Sequence, residues 1–255
     1  MPRSSSVRPY DLLARHYDDV FLPFRVPVER ARARILGALL PRIERACDLC
    51  CGTGITALDL AGRGIQTWAV DLSPDMCRIT RQKARAAKLP IRVLRADMRD
   101  FRLPKPVDLI TCEADAINHV ARHADLAKVA KAVARALRPG GYFYFDVNNL
   151  AGFERYWTGI LWIEKPDVVL VMRNGNNLPA RKAWTDVEWF IRSGRAWQRH
   201  RERVEEVCWD AKEIRRVLKA NGFDSVHDWD AEPFFKGNAL ITQGCRSIYL
   251  ARKSL

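Results

Sequence analysis

Between residues 45 and 147 short apolar runs alternate with stretches of helical periodicity, the pattern of parallel strands joined by crossover helices. Runs at 45–50, 67–71, 91–96, 107–112 and 142–147 read as five strands. After the second, Ser73 is placed to cap a helix with Pro74 at its first position, and Met76, Ile79, Thr80, Ala84 and Ala87 follow at helical spacing. A further helix, 124–137, is expected to stop at Pro139-Gly140-Gly141. Upstream, residues 1–45 read as a helical cap in two pieces, 10–19 and 28–40, because Pro23 and Pro27 interrupt the pattern.

The texture changes after residue 150, where seven of the eight tryptophans lie. Segments 161–172 and 181–206 read as long strands separated by turn residues at Asn174-Gly175-Asn176-Asn177, which predicts an inserted antiparallel sheet over 151–207. Asp210 then caps a helix with Ile214, Val217 and Leu218 on one face, and 225–229 with 246–251 would close the main sheet. The expected organisation is thus a cap (1–45), an α/β domain (46–150 and 208–255) and the insert (151–207), a substrate lid or dimer region.

The loop D-L-C-C-G-T-G-I-T-A, Asp48 to Ala57, follows a strand and opens a helix. Gly52, Gly54 and Ala57 satisfy G-x-G-x-x-A, in which a Cβ would block both the tight turn and a ligand's approach to the backbone. Asp71 ends the next strand 19 residues after Gly52, where a carboxylate can accept hydrogen bonds from ribose hydroxyls. These features suit NAD as well as S-adenosylmethionine. Asp48, just ahead of the glycines, suits a cationic methionyl amine better than a pyrophosphate. In A-D-M-R-D-F, Asp97 can accept from an adenine amino group while Met98 packs on the ring.

In D-L-C-C-G-T-G, V-D-L-S-P-D-M, A-D-M-R-D-F, V-D-L-I-T-C-E-A-D-A-I-N-H-V and L-R-P-G-G-Y-F-Y-F-D-V-N, in order over residues 46–148, the chain resembles the class I S-adenosylmethionine-dependent methyltransferases. The resemblance implies an α/β, Rossmann-like, mostly parallel sheet of seven strands in the order 3-2-1-4-5-7-6, the last antiparallel. It also implies that Gly52 and Gly54 cradle S-adenosylmethionine, Asp71 holds the ribose, and Leu72 and Met76 flank the adenine. Asp97 and Met98 would then read the adenine, and Glu113 would line the methyl-transfer end. Cys50 departs from the family's usual loop, standing where its first glycine is found. D-A-I-N-H-V resembles a bacterial subgroup of small-molecule enzymes that includes amino-sugar and amine N-methyltransferases. Its N-terminal Y-D-x-x-A-x-x-Y-D helix, matched from Tyr10 to Asp18, would bring Tyr10 and Tyr17 to the cofactor.

Composition narrows the acceptor less. A formal charge of +13 invites an anionic partner, but the basic residues are dispersed and no basic run is interleaved with stacking aromatics, so a solvated surface is favoured over a nucleic-acid groove. No apolar run is long enough to span a bilayer, and the opening residues lack a signal peptide's apolar core. Seven unevenly spaced cysteines fit reduced thiols in the cytoplasm, and no second Cys/His pair completes a zinc site with Cys47 and Cys50. His119 is a candidate base or a helix-start histidine bonded to backbone. Asp115 and Asn118 either hold substrate or cap that helix. Tyr17 either meets the methionyl end or packs. His200, alternating with Gln198 and Glu202, either lines the acceptor pocket or faces solvent. The tryptophan-rich insert suits packing or a homodimer interface, or an aromatic wall for an amine. The favoured function is methyl transfer to an N or O atom of a small molecule. RNA or protein methylation and non-enzymatic cofactor binding are the alternatives.

Overall fold

The computed structural model describes residues 13–234 and 245–255. Helix α1 (Leu13–Leu36) precedes β1 (Arg45–Leu49), α2 (Ile55–Gly62), β2 (Gln66–Asp71), α3 (Pro74–Ala86), β3 (Arg92–Arg95), β4 (Val107–Cys112), α4 (His123–Ala136) and β5 (Leu137–Asn148). A short helix α5 (Leu150–Tyr156) leads into β6 (Ile160–Lys165), β7 (Val168–Asn177), β8 (Lys182–Ser193) and β9 (Ala196–Val207). The chain returns through α6 (Ala211–Ala220) to β10 (Phe223–Asp230) and β11 (Arg246–Lys253).

The main sheet has the order β10-β11-β5-β4-β1-β2-β3, with β11 antiparallel to both neighbours, as the sequence predicts. Its central strand β4 is buried at every position because helices cover both faces. Side chains alternate accordingly. Leu109 and Tyr144 join Val28, Ala31 and Leu36 of α1 on one face, while Ile110, Phe143 and Phe145 pack with residues of α4 and α6 on the other. Ser73 caps α3 and Asp210 caps α6 in a capping box with Glu213, both at the expected positions.

Two sequence expectations need correction. Among the described residues the N-terminal segment is not broken into two helices at the prolines, since α1 runs through Pro23 and Pro27 without interruption. Each proline removes one backbone donor, but the helix is held by packing at both ends. Val20 meets the second sheet, and Val28, Ala31 and Leu36 meet the first. The insert, likewise, is not two long strands about a turn at 174–177. It is a four-stranded antiparallel sheet, β6-β7-β8-β9, and 174–177 lie inside β7. Gly175 stands opposite Trp184, whose ring lies 2.6 Å from where a Cβ would be, and Asn176 Nδ2 donates to the Phe153 and Trp157 carbonyls at 3.1 Å each. Residues typical of turns serve here to admit a ring and to fasten α5.

Asn118 ties the two sheets together. Its Nδ2 donates to the Asn148 and Val207 carbonyls at 2.8 and 3.0 Å, and its Oδ1 accepts from Asn148 N at 2.9 Å. This fully buried side chain is structural. Val20 of α1 packs with Val168, Leu170, Val187 and Trp189, so helix and second sheet close together over the carboxyl edge of the first.

Candidate active site

The loop after β1 turns through three left-handed residues, Cys50 (φ 56°), Gly52 (φ 54°) and Gly54 (φ 83°). For Cys50 this conformation costs about 1–2 kcal/mol that a glycine would not incur. A Cβ on Gly54 would stand 2.6 Å from Thr80 Cγ2, and Thr80 Oγ1 in turn donates to the Gly52 carbonyl at 2.9 Å. Gly54→Ala should therefore destabilise the fold by about 1–3 kcal/mol through strain and overpacking, read as a lower urea midpoint at unchanged slope.

Asp71 is fixed beside this loop. Its Oδ2 accepts from Gly52 N and its Oδ1 from Ser73 N, both at 2.9 Å. Burial raises its pKa above the usual carboxylate value, and these two amides oppose the rise. Each oxygen keeps a lone pair for a ligand. Beside it, Leu72, Met76 and Met98 line a cavity of about 1010 Å³, which opens at the carboxyl edge of the main sheet under α1 and the inner face of the second sheet.

Beyond the loop, Glu113 follows the last residue of β4, buried and saturated. Arg32 Nη1 reaches its two oxygens at 2.6 and 2.9 Å, and Thr56 Oγ1 donates to it at 2.5 Å. Burial by itself would lower the Arg32 pKa, but pairing with Glu113 and Asp59 raises it overall. Arg25 Nη2 donates to Thr56 Oγ1 at 2.8 Å. Tyr17 faces the cavity beside Phe21 (ring centroids 5.1 Å apart), and burial pushes its phenol pKa up.

The far wall is acidic. Asp115, in a left-handed conformation (φ 54°), accepts from Asn148 Nδ2 at 2.5 Å and from Arg246 Nη2 at 3.0 Å. Asp146 takes the Ala114 and Asp115 amides at 2.7 and 3.1 Å and pairs with Arg246. Glu206 accepts from Asn148 Nδ2 at 3.3 Å, so one amide bridges two carboxyl groups. Burial, and then the nearby Asp115 charge, raise the Glu206 pKa well above the usual range. Glu202 accepts from Trp189 Nε1 at 2.8 Å, and His119 Nδ1 lies 3.2 Å from the Glu205 carbonyl. Glu202, Glu206, Trp189 and His119 all line the cavity.

A family model for a methyltransferase domain matches residues 46–141. The Bacillus subtilis (strain 168) protein YqeM is 27% identical over 219 residues, spanning 85% of this chain and 87% of that protein. The crystal structure of an S-adenosylmethionine-dependent methyltransferase from Clostridium acetobutylicum superposes with a TM-score of 0.80 at 25% identity, covering 96% of this chain and 99% of that one. The chain is a class I S-adenosylmethionine-dependent methyltransferase. The sugar N-methyltransferase KedS8 from Streptoalloteichus shares the methyltransferase's fold (TM-score 0.77, 21% identity, 100% and 99% covered).

Of the candidate residues, the methyltransferase brings Tyr17, Cys50, Gly52, Asp71, Leu72, Met76, Met98, Glu113, Asp115 and His119 to one cavity. Four stand off its wall. Asp48 is buried behind the loop, accepting from Ala57 N and Thr111 Oγ1 at 3.0 Å each, and burial together with the Glu113 charge pushes its pKa up to about 7. It pins the turn from behind. Gly54 packs on Thr80, as described. Asp97 accepts from Arg99 through both oxygens, at 2.5 and 2.9 Å, and is not among the residues lining the cavity. His200 pairs opposite Trp189, beyond the cavity. Tyr10 lies outside the described residues. Sequence reasoning missed Arg25, Arg32, Asp146, Glu206 and Arg246, each brought in from a distant element. R-H-R-E-R-V-E-E, which holds Glu202 and Glu206, was the available signal.

Proposed function

We propose that this methyltransferase alkylates a nitrogen atom of a small, amine-bearing molecule held between the carboxyl edge of the main sheet and the inner face of the second sheet. The observation that carries this reading is the cavity's acidic wall. Asp115 and Glu206 line it with Asp146 behind them, and three carboxyl groups beside one cation, Arg246, offer acceptors that suit an amine's N–H donors better than a hydroxyl. The cavity volume lies at the top of the range for small-molecule sites, roughly 300–1,000 Å³, which suits a nucleoside and a second small molecule together. The name of the fold relative KedS8, a sugar N-methyltransferase, agrees with such an acceptor.

In this reading Asp71 accepts the cofactor's ribose hydroxyls, the Gly52 turn takes its close backbone approach, and Leu72, Met76 and Met98 enclose the adenine. The cofactor supplies an electrophilic methyl group on sulfur. The protein aligns an acceptor nitrogen with it and excludes water, a task suited to α1, Tyr17 and the second sheet. The attacking nitrogen must be neutral, so the wall also has to take a proton. In this reading Glu206 takes it, and cavity-lining His119, whose Nδ1 lies 3.2 Å from the Glu205 carbonyl, is the second candidate.

Incubation with methyl-labelled cofactor and fractionated cell extract should place label in the basic small-molecule fraction. Label confined to RNA or protein refutes the reading. With the acceptor isolated, Glu206→Gln should lower kcat/KM by about 10²-fold while cofactor affinity holds. Because burial and Asp115 raise the Glu206 pKa, its carboxylate form appears only as pH rises. The wild-type rate should climb with pH over that range, and the Gln variant should lose that limb. An unchanged profile assigns the proton to another group.

A further inference from the structure

We propose that the acceptor amine carries an apolar body, an alkyl or aryl group in place of a polyhydroxylated one, and that this body packs on the inner face of the second sheet beside α1. The proposal rests on the amine reading above and concerns the class of molecule that bears the amine.

Strand register sets this face. Met172 of β7 stands opposite Leu161 of β6 and Val187 of β8, and Val187 stands opposite Glu202 of β9. Neighbouring strands lie about 4.8 Å apart, so Leu161, Met172 and Val187 form an apolar row roughly 10 Å wide. Val204 of β9 extends the row diagonally, being paired with Thr185, two residues from Val187. It is also two residues from Glu206, about 6.7 Å along the strand on the same face. From α1, Tyr17 and Phe21 pack with Met172 and Val204 on the cluster that Val20, Leu170, Val187 and Trp189 form. Leu161, Met172, Val187, Val204, Tyr17 and Phe21 all line the cavity. An apolar wall built by helix and sheet thus runs up to the carboxyl group assigned to the amine.

The polar side chains of this face are bonded within the protein. Thr185 Oγ1 donates to Asn174 Oδ1 at 2.7 Å, and Glu202 accepts from Trp189 Nε1 at 2.8 Å. Asn148 Nδ2 serves Asp115 and Glu206. A hydroxyl held against Met172, Val187 or Val204 would give up its hydrogen bonds to water and meet only carbon and sulfur, which costs affinity. A methylene at the same place gains affinity in proportion to the area it covers. The acidic end of the wall therefore selects the amine, and the rest of it selects hydrocarbon.

The test is a matched series of primary amines, propylamine to hexylamine, with glucamine beside them. Glucamine is hexylamine's carbon chain with a hydroxyl on every carbon except the one bound to nitrogen. With the full-length protein and methyl-labelled S-adenosylmethionine, kcat/KM should rise about threefold with each added methylene. Glucamine should be a roughly tenfold or more poorer acceptor than hexylamine. A flat series, or glucamine equal to hexylamine, overturns the proposal. Met172→Gln, nearly equal in length, should lower kcat/KM for hexylamine by about tenfold and shrink the gain per methylene. Val204→Thr, equal in shape, should act in the same direction. Calorimetric affinity for S-adenosylhomocysteine should hold in both, which shows that they fold. A gain per methylene unchanged in both variants also overturns the proposal. A protein that binds S-adenosylhomocysteine and labels RNA or protein but methylates none of the amines would refute the amine reading itself, and the apolar body with it.

Discussion

Replacing Asp71 with alanine should weaken S-adenosylmethionine binding at least tenfold, and nothing else in the cofactor half of the site should cost as much. The carboxylate holds the amides of Gly52 and Ser73 at 2.9 Å each, so it organises the turn and the start of α3 before any ligand arrives. In the proposed reading its remaining lone pairs accept from the ribose hydroxyls. Removing it deletes hydrogen bonds to a charged group, worth roughly 1.5–3 kcal/mol, and leaves two backbone donors unmatched. Asp71→Asn is an instructive partner. One of its two terminal atoms becomes a donor and must face either an N–H or the ribose, so it should recover only part of the affinity. Titration by calorimetry reads both, and an unchanged dissociation constant for the alanine variant rules out the ribose role. The pH dependence has a definite sign. The acceptor is the ionised form, and burial raises the Asp71 pKa, so affinity should fall as pH is lowered and begin to do so above the usual carboxylate range.

Local signals made the Gly52 and Asp71 side of this cavity legible. A strand, two glycines and an acid at the end of the next strand lie within 24 residues, from Asp48 to Asp71, and their geometry follows from backbone connectivity alone. The same loop also shows where such reasoning stops. Asp48 carries the expected residue at the expected place, yet its oxygens are spent on Ala57 N and Thr111 Oγ1 behind the turn. Orientation of a side chain about a strand end is set by which donors surround it, and the motif does not encode that. Asp97 pairs with Arg99, two residues on, in a contact that the A-D-M-R-D-F run contains but does not impose.

The acceptor half was less legible for a different reason. Asp115, Asp146, Glu206 and Arg246 come from a turn, two strands of the main sheet and one of the second, and Asn148 joins them only because Asn118 has tied the two sheets together. No spacing rule connects residues that far apart. The fold itself was more transparent than its insert. Alternation of apolar runs fixed the order of the main sheet, whereas 174–177 offered turn chemistry that tertiary packing against Trp184 and α5 put to another use.

The largest loss of stability should come from Arg32→Ala. Arg32 and Glu113 are about 3% and 2% exposed, so truncating the arginine strands a carboxylate in the interior with only the Thr56 hydroxyl and, at 3.6 Å, Arg25 beside it. Breaking a buried pair from one side costs about 3–5 kcal/mol, because the remaining charge keeps its desolvation penalty and loses its compensation. For a chain of this size that is a fall in Tm on the order of 10 °C, measurable by calorimetry or by the urea midpoint. Adding Glu113→Gln to Arg32→Ala removes the stranded charge, so the double variant should be more stable than the sum of the two single losses, by roughly 1–3 kcal/mol. Additive losses would mean that the pair is held by packing, with little electrostatic coupling. The outcome also bears on α1. Arg32 is the charge that joins this helix to the end of β4 and to Asp59 of α2, and a helix carrying two internal prolines has little intrinsic stability with which to replace it.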